Sequence, residues 1–300
     1  MIVMKIPLLE EIHRRVVLAD GAMGTQLLKA GLKSGGCGEL WNIEKPEAVK
    51  AIQSRYREAG SDILLTNTFG ASRLRLEKFG LANRAFEINR AAALMAREVM
   101  GPNLYVLGDI GPFGGIIEPA GDVPQEDAIA GFEDQARAFT SAAVDGIIIE
   151  TMTSADEILC ALEGVRRAAP GTPTLVSLSF DKTPSGEYRT MMGMTPADAA
   201  ELAESECVDV IGCNCGAGME IDDYARIVQD FRARTRKAVI VQPNAGLPEL
   251  VNGKIVYRET PEMMASGIPA LVKAGANIIG GCCGTSPEHI RLFKQMLDKM

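Results

Sequence analysis

Eight short apolar runs, each closing on a glycine-rich or polar turn, are spread along the whole chain and constrain its fold more than any other feature. They are RVVLADGAMG (15–24), DILLTNTFG (62–70), NLYVLGDIGP (103–112), GIIIETM (146–152), TLVSLSF (174–180), VDVIGCNCG (208–216), AVIVQPNAG (238–246) and NIIGGCCG (277–284). The runs are nearly continuous in apolar character and rich in β-branched residues, as strands buried on both faces should be. Stretches with helical spacing lie between them. PEAVKAIQSRYREAG opens with Pro46 in its first turn and stops at Gly60, the usual start and stop signals. ADEILCALEGVRRAAPG and TPADAAELAES behave alike, and SPEHIRLFKQMLDKM closes the chain with Ser286 as N-cap and Pro287 at the first helical position. Strand and helix thus alternate eight times. The expected fold is α/β, a (β/α)8 TIM barrel in one domain spanning residues 1–300, near the roughly 250 residues usual for that fold. A doubly wound open sheet is the alternative. The absence of a glycine-rich dinucleotide fingerprint, and of any linker that would split the chain, favours the barrel.

Composition narrows the function. A hydrophobic content of 47% and a charged content of 23% are those of an ordinary globular protein. The net charge of −8 argues against a nucleic-acid partner, which calls for clustered basic residues. No apolar run approaches the length of a membrane span, and the opening MIVMKIPLLEEIHRR carries acids where a signal peptide has its apolar core. A cytoplasmic location follows as an expectation, with the seven cysteines buried, catalytic or metal-bound rather than paired.

A barrel places its chemistry at the C-terminal ends of its strands. Those ends carry Asp20-Gly21, Thr66-Asn67-Thr68-Phe69, Glu150-Thr151, Cys213-Asn214-Cys215, Gln242-Pro243-Asn244 and Cys282-Cys283. Thiolates suit Zn²⁺, which in a catalytic site keeps three protein ligands and one open position. Adjacent strand residues point to opposite faces. Cys282 and Cys283 can therefore share a metal only if the strand bends there, and Gly280, Gly281 and Gly284 permit a bend. Cys37, Cys160 and Cys207 lie in a loop or in helical stretches and are read as small buried apolar side chains. Cys213 stays open between the two roles: it points to the same face as Cys215 but one layer deeper, where a barrel-filling side chain is expected.

The segments DGAMGTQL, TNTFGAS, GCNCG, QPNAGLP and GGCCGTSPEHI resemble, in order, the homocysteine S-methyltransferase family, over the chain from about Asp20 to His289. The likeness is nearest to the homocysteine-binding barrel of cobalamin-dependent methionine synthases. It implies zinc held by Cys215, Cys282 and Cys283, with Cys213 off the ligand set, and homocysteine as substrate. Asp20 and Glu150 match acids that bind the substrate amine. As non-functional alternatives, Asp20 is a turn residue before Gly21 and Glu150 the partner of an arginine. The substrate carboxylate then meets backbone N–H groups of Gly21, Ala22, Met23, Gly24 and Thr25 and of Thr68 and Phe69. Asn214 belongs to the same substrate-facing set, and Asn244 offers an amide oxygen for the fourth metal position or serves as a turn residue. Met23 and Met152 are expected to line the pocket. His13 and His289, the two histidines, lie away from strand ends and are read as structural.

The implied activity is methyl transfer to the homocysteine thiol, giving methionine. Neither histidine has an aspartate two residues before it, so the corrinoid-binding pattern Asp-x-His-x-x-Gly is missing. The expected donor is a methylated corrinoid (methylcobalamin) on a separate carrier protein. Alternatives are a soluble donor (S-methylmethionine, S-adenosylmethionine or betaine), a selenol or other small thiol as acceptor, or a non-catalytic zinc-binding barrel. The oligomeric state stays open.

Overall fold

The computed structural model describes residues 5–251 and 254–300. Eight parallel strands form one sheet: β1 Val17–Leu18, β2 Ile63–Leu65, β3 Tyr105–Ile110, β4 Gly146–Met152, β5 Thr174–Leu178, β6 Val210–Asn214, β7 Ala238–Gln242 and β8 Ile278–Ile279. Each strand pairs with its neighbour in the chain, and β8 pairs with β1. A parallel bridge between Ala19 and Ile63 joins β1 to β2 and completes the ring. Helices separate consecutive strands, so the fold is the (β/α)8 barrel. Two antiparallel hairpins not anticipated from the sequence sit in the loops after β5 (Asp181–Lys182 with Tyr188–Arg189) and after β7 (Glu249–Val251 with Lys254–Val256).

Alternation sorts the side chains. Ala19, Leu65, Leu107, Ile148, Leu175 and Ile240 point inward and fill the barrel. Leu18, Leu64, Val106, Ile149, Val176 and Ile211 point outward against the helices. Buried aliphatic side chains of this size each contribute roughly 1.5–3 kcal/mol. The helix Leu8–Arg14 places Leu8 and Ile12 against the inner cluster and closes the N-terminal end.

A fourfold device holds that end together. The residues just before β2, β4, β6 and β8 are Asp62, Asp145, Asp209 and Asn277. Each side chain accepts the backbone N–H of the preceding strand: Leu18 at 2.9 Å, Val106 at 2.8 Å, Thr174 at 2.8 Å and Val239 at 3.0 Å. In return each donates its own N–H to the carbonyl of that same residue. The four GSDI, AVDG, CVDV and GANI segments are thus one repeated clamp. The expected helix signals hold as well: Pro46 and Pro287 open their helices, and Gly60 follows the first of them in a left-handed conformation.

Candidate functional site

The C-terminal end of the barrel brings Cys215, Cys282 and Cys283 together, with all three sulfurs within 4.8 Å of one another. Backbone conformation at β6 makes this possible. Val210 points inward and Ile211 outward, and Cys213 packs outward in the sheet–helix layer, 1% exposed. Strict alternation would send Cys215 outward too. Instead Cys215 has φ 56°, and Gly216 follows at φ 103°. A Cβ on Gly216 would lie 2.0 Å from the Phe180 carbonyl oxygen, so only glycine fits. This left-handed pair turns the Cys215 sulfur off the strand's outward face. Cys213 therefore does not point where Cys215 points, and it does not fill the barrel.

The second half of the cluster lies beyond β8. Cys282 donates its N–H to the Pro243 carbonyl, and Cys283 accepts from the N–H of Ala245. The bend differs from the one expected: of the three glycines, only Gly284 has positive φ (84°). Gly280 and Gly281 are glycine for lack of space. A Cβ there would meet the Asp20 carbonyl oxygen at 2.9 Å and Thr285 Oγ1 at 2.5 Å, respectively.

Thiolate character concentrates on one sulfur. Hydrogen bonds from the Cys282 and Cys283 thiols hold the Cys215 thiol far below its usual range, and the same bond from Cys215's side pushes Cys282 and Cys283 up. Three clustered sulfurs sharing negative charge, with Cys283 exposed and the other two half-buried, are a donor set that fits Zn²⁺. Tetrahedral bonds of about 2.3 Å put sulfurs roughly 3.8 Å apart. The remaining thiols stay outside the cluster. Cys160 is buried as expected, but Cys207 is exposed at a helix end and Cys37 is half-buried with its sulfur 3.5 Å from Glu39 Oε2.

Around the thiols lies a buried polar layer. Asp20 is 3% exposed and accepts the Leu65 N–H at 3.1 Å. Glu150 is 9% exposed, and burial, then the Cys215 thiolate, pushes its carboxyl up to about 7, offset by a hydrogen bond from Gln242. Neither acid has an arginine or lysine partner among the described residues, so the internal ion pair weighed for Glu150 is not what the fold provides. Burial first, then the Glu150 charge, holds Asp20 well above the usual carboxylate range. Asp109, inward on β3 and 4% exposed, is a third acid of this layer that the motifs did not single out. The cue was present in LGDIGP: a lone acid in an otherwise apolar strand.

Several expected contacts are spent inside the protein. The Asn214 amide donates to Thr151 Oγ1 (2.7 Å) and reaches Cys282 Sγ at 3.8 Å, and its oxygen accepts from Ser177 (2.7 Å) and the Thr151 N–H (3.0 Å). It clamps Thr151, whose φ of 62° makes the bulge after Glu150. The bulge also breaks alternation, so Met152 packs against the helices rather than lining a pocket. The Asn244 oxygen lies 3.1 Å from Tyr224 Oη, and its amide donates to the Gly216 carbonyl at 2.9 Å. Tyr224 in turn bonds the Cys215 carbonyl at 2.5 Å. Among the backbone donors, the Ala22 N–H goes to Thr285 Oγ1 and the Thr68 N–H to the Thr66 carbonyl. Met23, Gly24 and Thr25 begin the helix Met23–Lys29, which has no side-chain cap. Phe69 carries the Arg75 guanidinium 5.2 Å over its ring. His289 bonds the Ser286 N–H at 3.1 Å and plays a structural part at that helix start.

The fold and site together are those of a (β/α)8 barrel with three clustered thiols and buried acids at the strand ends where such barrels carry their chemistry. Comparison with known proteins gives the family: the family model for homocysteine S-methyltransferase matches residues 17–297, and the chain belongs to that family. It is 30% identical over 298 residues to the methionine synthases of Mycobacterium leprae and Mycobacterium tuberculosis. The alignments cover 95% of this chain but only 24% and 25% of those proteins, so the chain spans about a quarter of their length. Among solved structures, the metallated form of the homocysteine methyltransferase MmuM from Escherichia coli superposes with a TM-score of 0.78 at 23% identity. That match covers 97% of this chain and 99% of that one, and shows the shared fold. Among the described residues, no helix is long and apolar enough to cross a membrane.

Proposed function

We propose that residues 1–300 form one barrel domain that binds homocysteine and transfers a methyl group to its thiol, giving methionine. The observation that carries this is the meeting of Cys215, Cys282 and Cys283 at the strand ends that also hold Asp20 and Glu150. The three cysteines would hold Zn²⁺. Bound there, zinc would supply Lewis acidity that favours the thiolate form of an incoming thiol at neutral pH. The chain's own residues do the rest. Asp20 and Glu150 accept the substrate ammonium, whose charge offsets the cost of burying them. Thr285 and Tyr56 fix the turn at Gly21 and Ala22, where a Cβ on Gly21 would collide with both. The first-turn N–H groups of Met23–Lys29, which no side chain caps, would be free to take the substrate carboxylate. Asn214 joins the Glu150 and Cys215 strand ends, so the amine site and the metal site move as one body. Asn244 holds the Cys215 turn through Tyr224 and retains a lone pair for a fourth metal position.

The methyl donor in this reading is a methylated corrinoid brought by a carrier protein. Two things support it. The chain's 30% relatives are methionine synthases. Apolar side chains also stand exposed on loops at the C-terminal face: Met191 and Met192 after β5, Leu247 and Leu250 after β7, and Ile116 after β3. The test is methionine formation from homocysteine by the zinc-loaded protein, with each donor supplied in turn. Turnover with methylcobalamin or a methylated corrinoid protein is expected. Turnover with S-methylmethionine, S-adenosylmethionine or betaine alone would replace the donor. None with any donor, despite bound zinc, would leave a non-catalytic barrel.

A further inference from the structure

We propose that Asp109 and Gln242 complete the subsite for the substrate's ammonium group and select for thiols that carry an α-amine. The proposal rests on the homocysteine reading above and adds a third carboxylate and a neutral acceptor to it.

Asp109 faces the barrel interior, because Tyr105, Leu107 and Asp109 alternate on β3 with Tyr105 and Leu107 in the inner cluster. Its main chain is pinned: its N–H donates to Thr66 Oγ1 at 2.9 Å and its carbonyl accepts from Thr68 Oγ1 at 2.7 Å. Its carboxylate is not: Oδ1 is buried without a hydrogen-bond partner. The strand register places its neighbours. Asp109 pairs with Ile148 on β4, and Glu150 is the next inward residue of that strand. On the other side, Leu107 pairs with Leu65 of β2, whose N–H is held by Asp20. Asp109 therefore sits between the two acids already expected to meet the amine.

Gln242 is an independent sign that a donor is meant to enter. It is 3% exposed and inward on β7, near enough to Glu150 to lower its carboxyl, and its Oε1 is buried without a partner. Two unpartnered acceptors thus converge beside Glu150. An orphaned buried acceptor is destabilising, and neighbouring buried acids raise one another's pKa. Asp109 shows this: burial first, then Glu150 and Asp20, hold it well above the usual range. A primary ammonium has three N–H donors and a positive charge. It satisfies the orphaned oxygens and offsets the crowding of the acids, and a thiol without an amine does neither. Arg75, the one cation that lowers Asp109, instead donates to the Pro112 carbonyl and stacks on Phe69.

The test compares two ligands by calorimetric titration of the zinc-loaded protein. L-homocysteine carries the amine; 4-mercaptobutyrate has the same thiol and carboxylate without it. Asp109→Asn should weaken L-homocysteine by roughly 30-fold or more, the scale for loss of one partner in a buried charged contact. It should leave 4-mercaptobutyrate within about threefold and zinc content unchanged. Gln242→Met should act in the same direction with a smaller effect. Equal loss for both ligands would make Asp109 a structural residue, and no loss for either would take it out of the subsite; both overturn the proposal. A zinc-loaded parent that does not bind L-homocysteine would instead overturn the homocysteine reading itself.

Discussion

The two ends of the barrel treat their acids in opposite ways. At the N-terminal end Asp62 accepts two hydrogen bonds from Arg15, at 2.8 and 3.0 Å, and one from Leu18. Asp145 is held by Lys5, Arg97 and the Val106 N–H. At the C-terminal end Asp20, Asp109 and Glu150 are more deeply buried and, among the described residues, none has a cationic partner. Backbone geometry does not divide the same way: of the left-handed non-glycine residues, Ala143 and Cys207 precede β4 and β6 at the N-terminal end, while Thr151 near the end of β4 and Cys215 just after β6 lie at the C-terminal end. The satisfied end is built to hold strands in register. The unsatisfied end stores electrostatic cost that a metal and a charged ligand would relieve.

Breaking the ligand cluster should have the largest effect. Cys215→Ser is expected to lose most bound zinc on dialysis, together with methyl transfer, because a catalytic site that starts from three protein ligands does not tolerate the loss of one. Cys213→Ala, one residue removed but facing the helices, should keep its metal. Elemental analysis of both variants decides. Full zinc occupancy in Cys215→Ser would remove the distinction between the two thiols.

Next in size is the amine site. Glu150→Gln should weaken homocysteine by about 2–5 kcal/mol while zinc stays bound. The same variant reports on pH. The Glu150 carboxyl is raised to about 7, above the roughly 4.3 of an unfolded chain. Between those values the native state holds a proton that the unfolded state has lost, so this group makes stability fall as pH rises. Thermal melts of the metal-free proteins from pH 5 to 8 should show a gain for Glu150→Gln over the parent that grows toward pH 7 and then levels. A constant difference across that range would place Glu150 in an ordinary environment.

The smallest effect belongs to the other end. Asp145→Asn removes the charge that pairs Lys5 and Arg97, and should cost about 2 kcal/mol of stability. It should leave zinc content and homocysteine affinity unchanged, since the clamp lies at the far end of the barrel. Melting and ligand titration together check it. A shift in homocysteine affinity would mean that the two ends are coupled.

The barrel, its eight strands and the three clustered cysteines were legible in the chain because each rests on local information. Apolar runs of strand length reveal doubly buried strands, Pro and Gly mark helix ends, and GCNCG and GGCCG are contiguous motifs. Asp109 was not legible, because an acid within an apolar strand gains meaning only from Glu150 and Asp20, which the register brings beside it from distant parts of the chain. Extending alternation from Cys213 to Cys215 puts the two thiols on one face, and nearness to the Glu150 motif puts Met152 on the pocket wall; neither survives the strand ends. The φ values of Cys215 and Thr151 are imposed there by tertiary bonds, from Asn214 to the Thr151 bulge and from Tyr224 and Asn244 to the Cys215 turn. Asn214 and Asn244 could be placed in their motifs, yet their partners are far away in sequence, and those partners turn both amides inward to hold the site. Residue type and spacing determined which groups this protein can offer to a metal and an amino-acid thiol. Closure of the barrel decided which of them face one another, because hydrogen bonds between distant strands fix directions that no local pattern encodes.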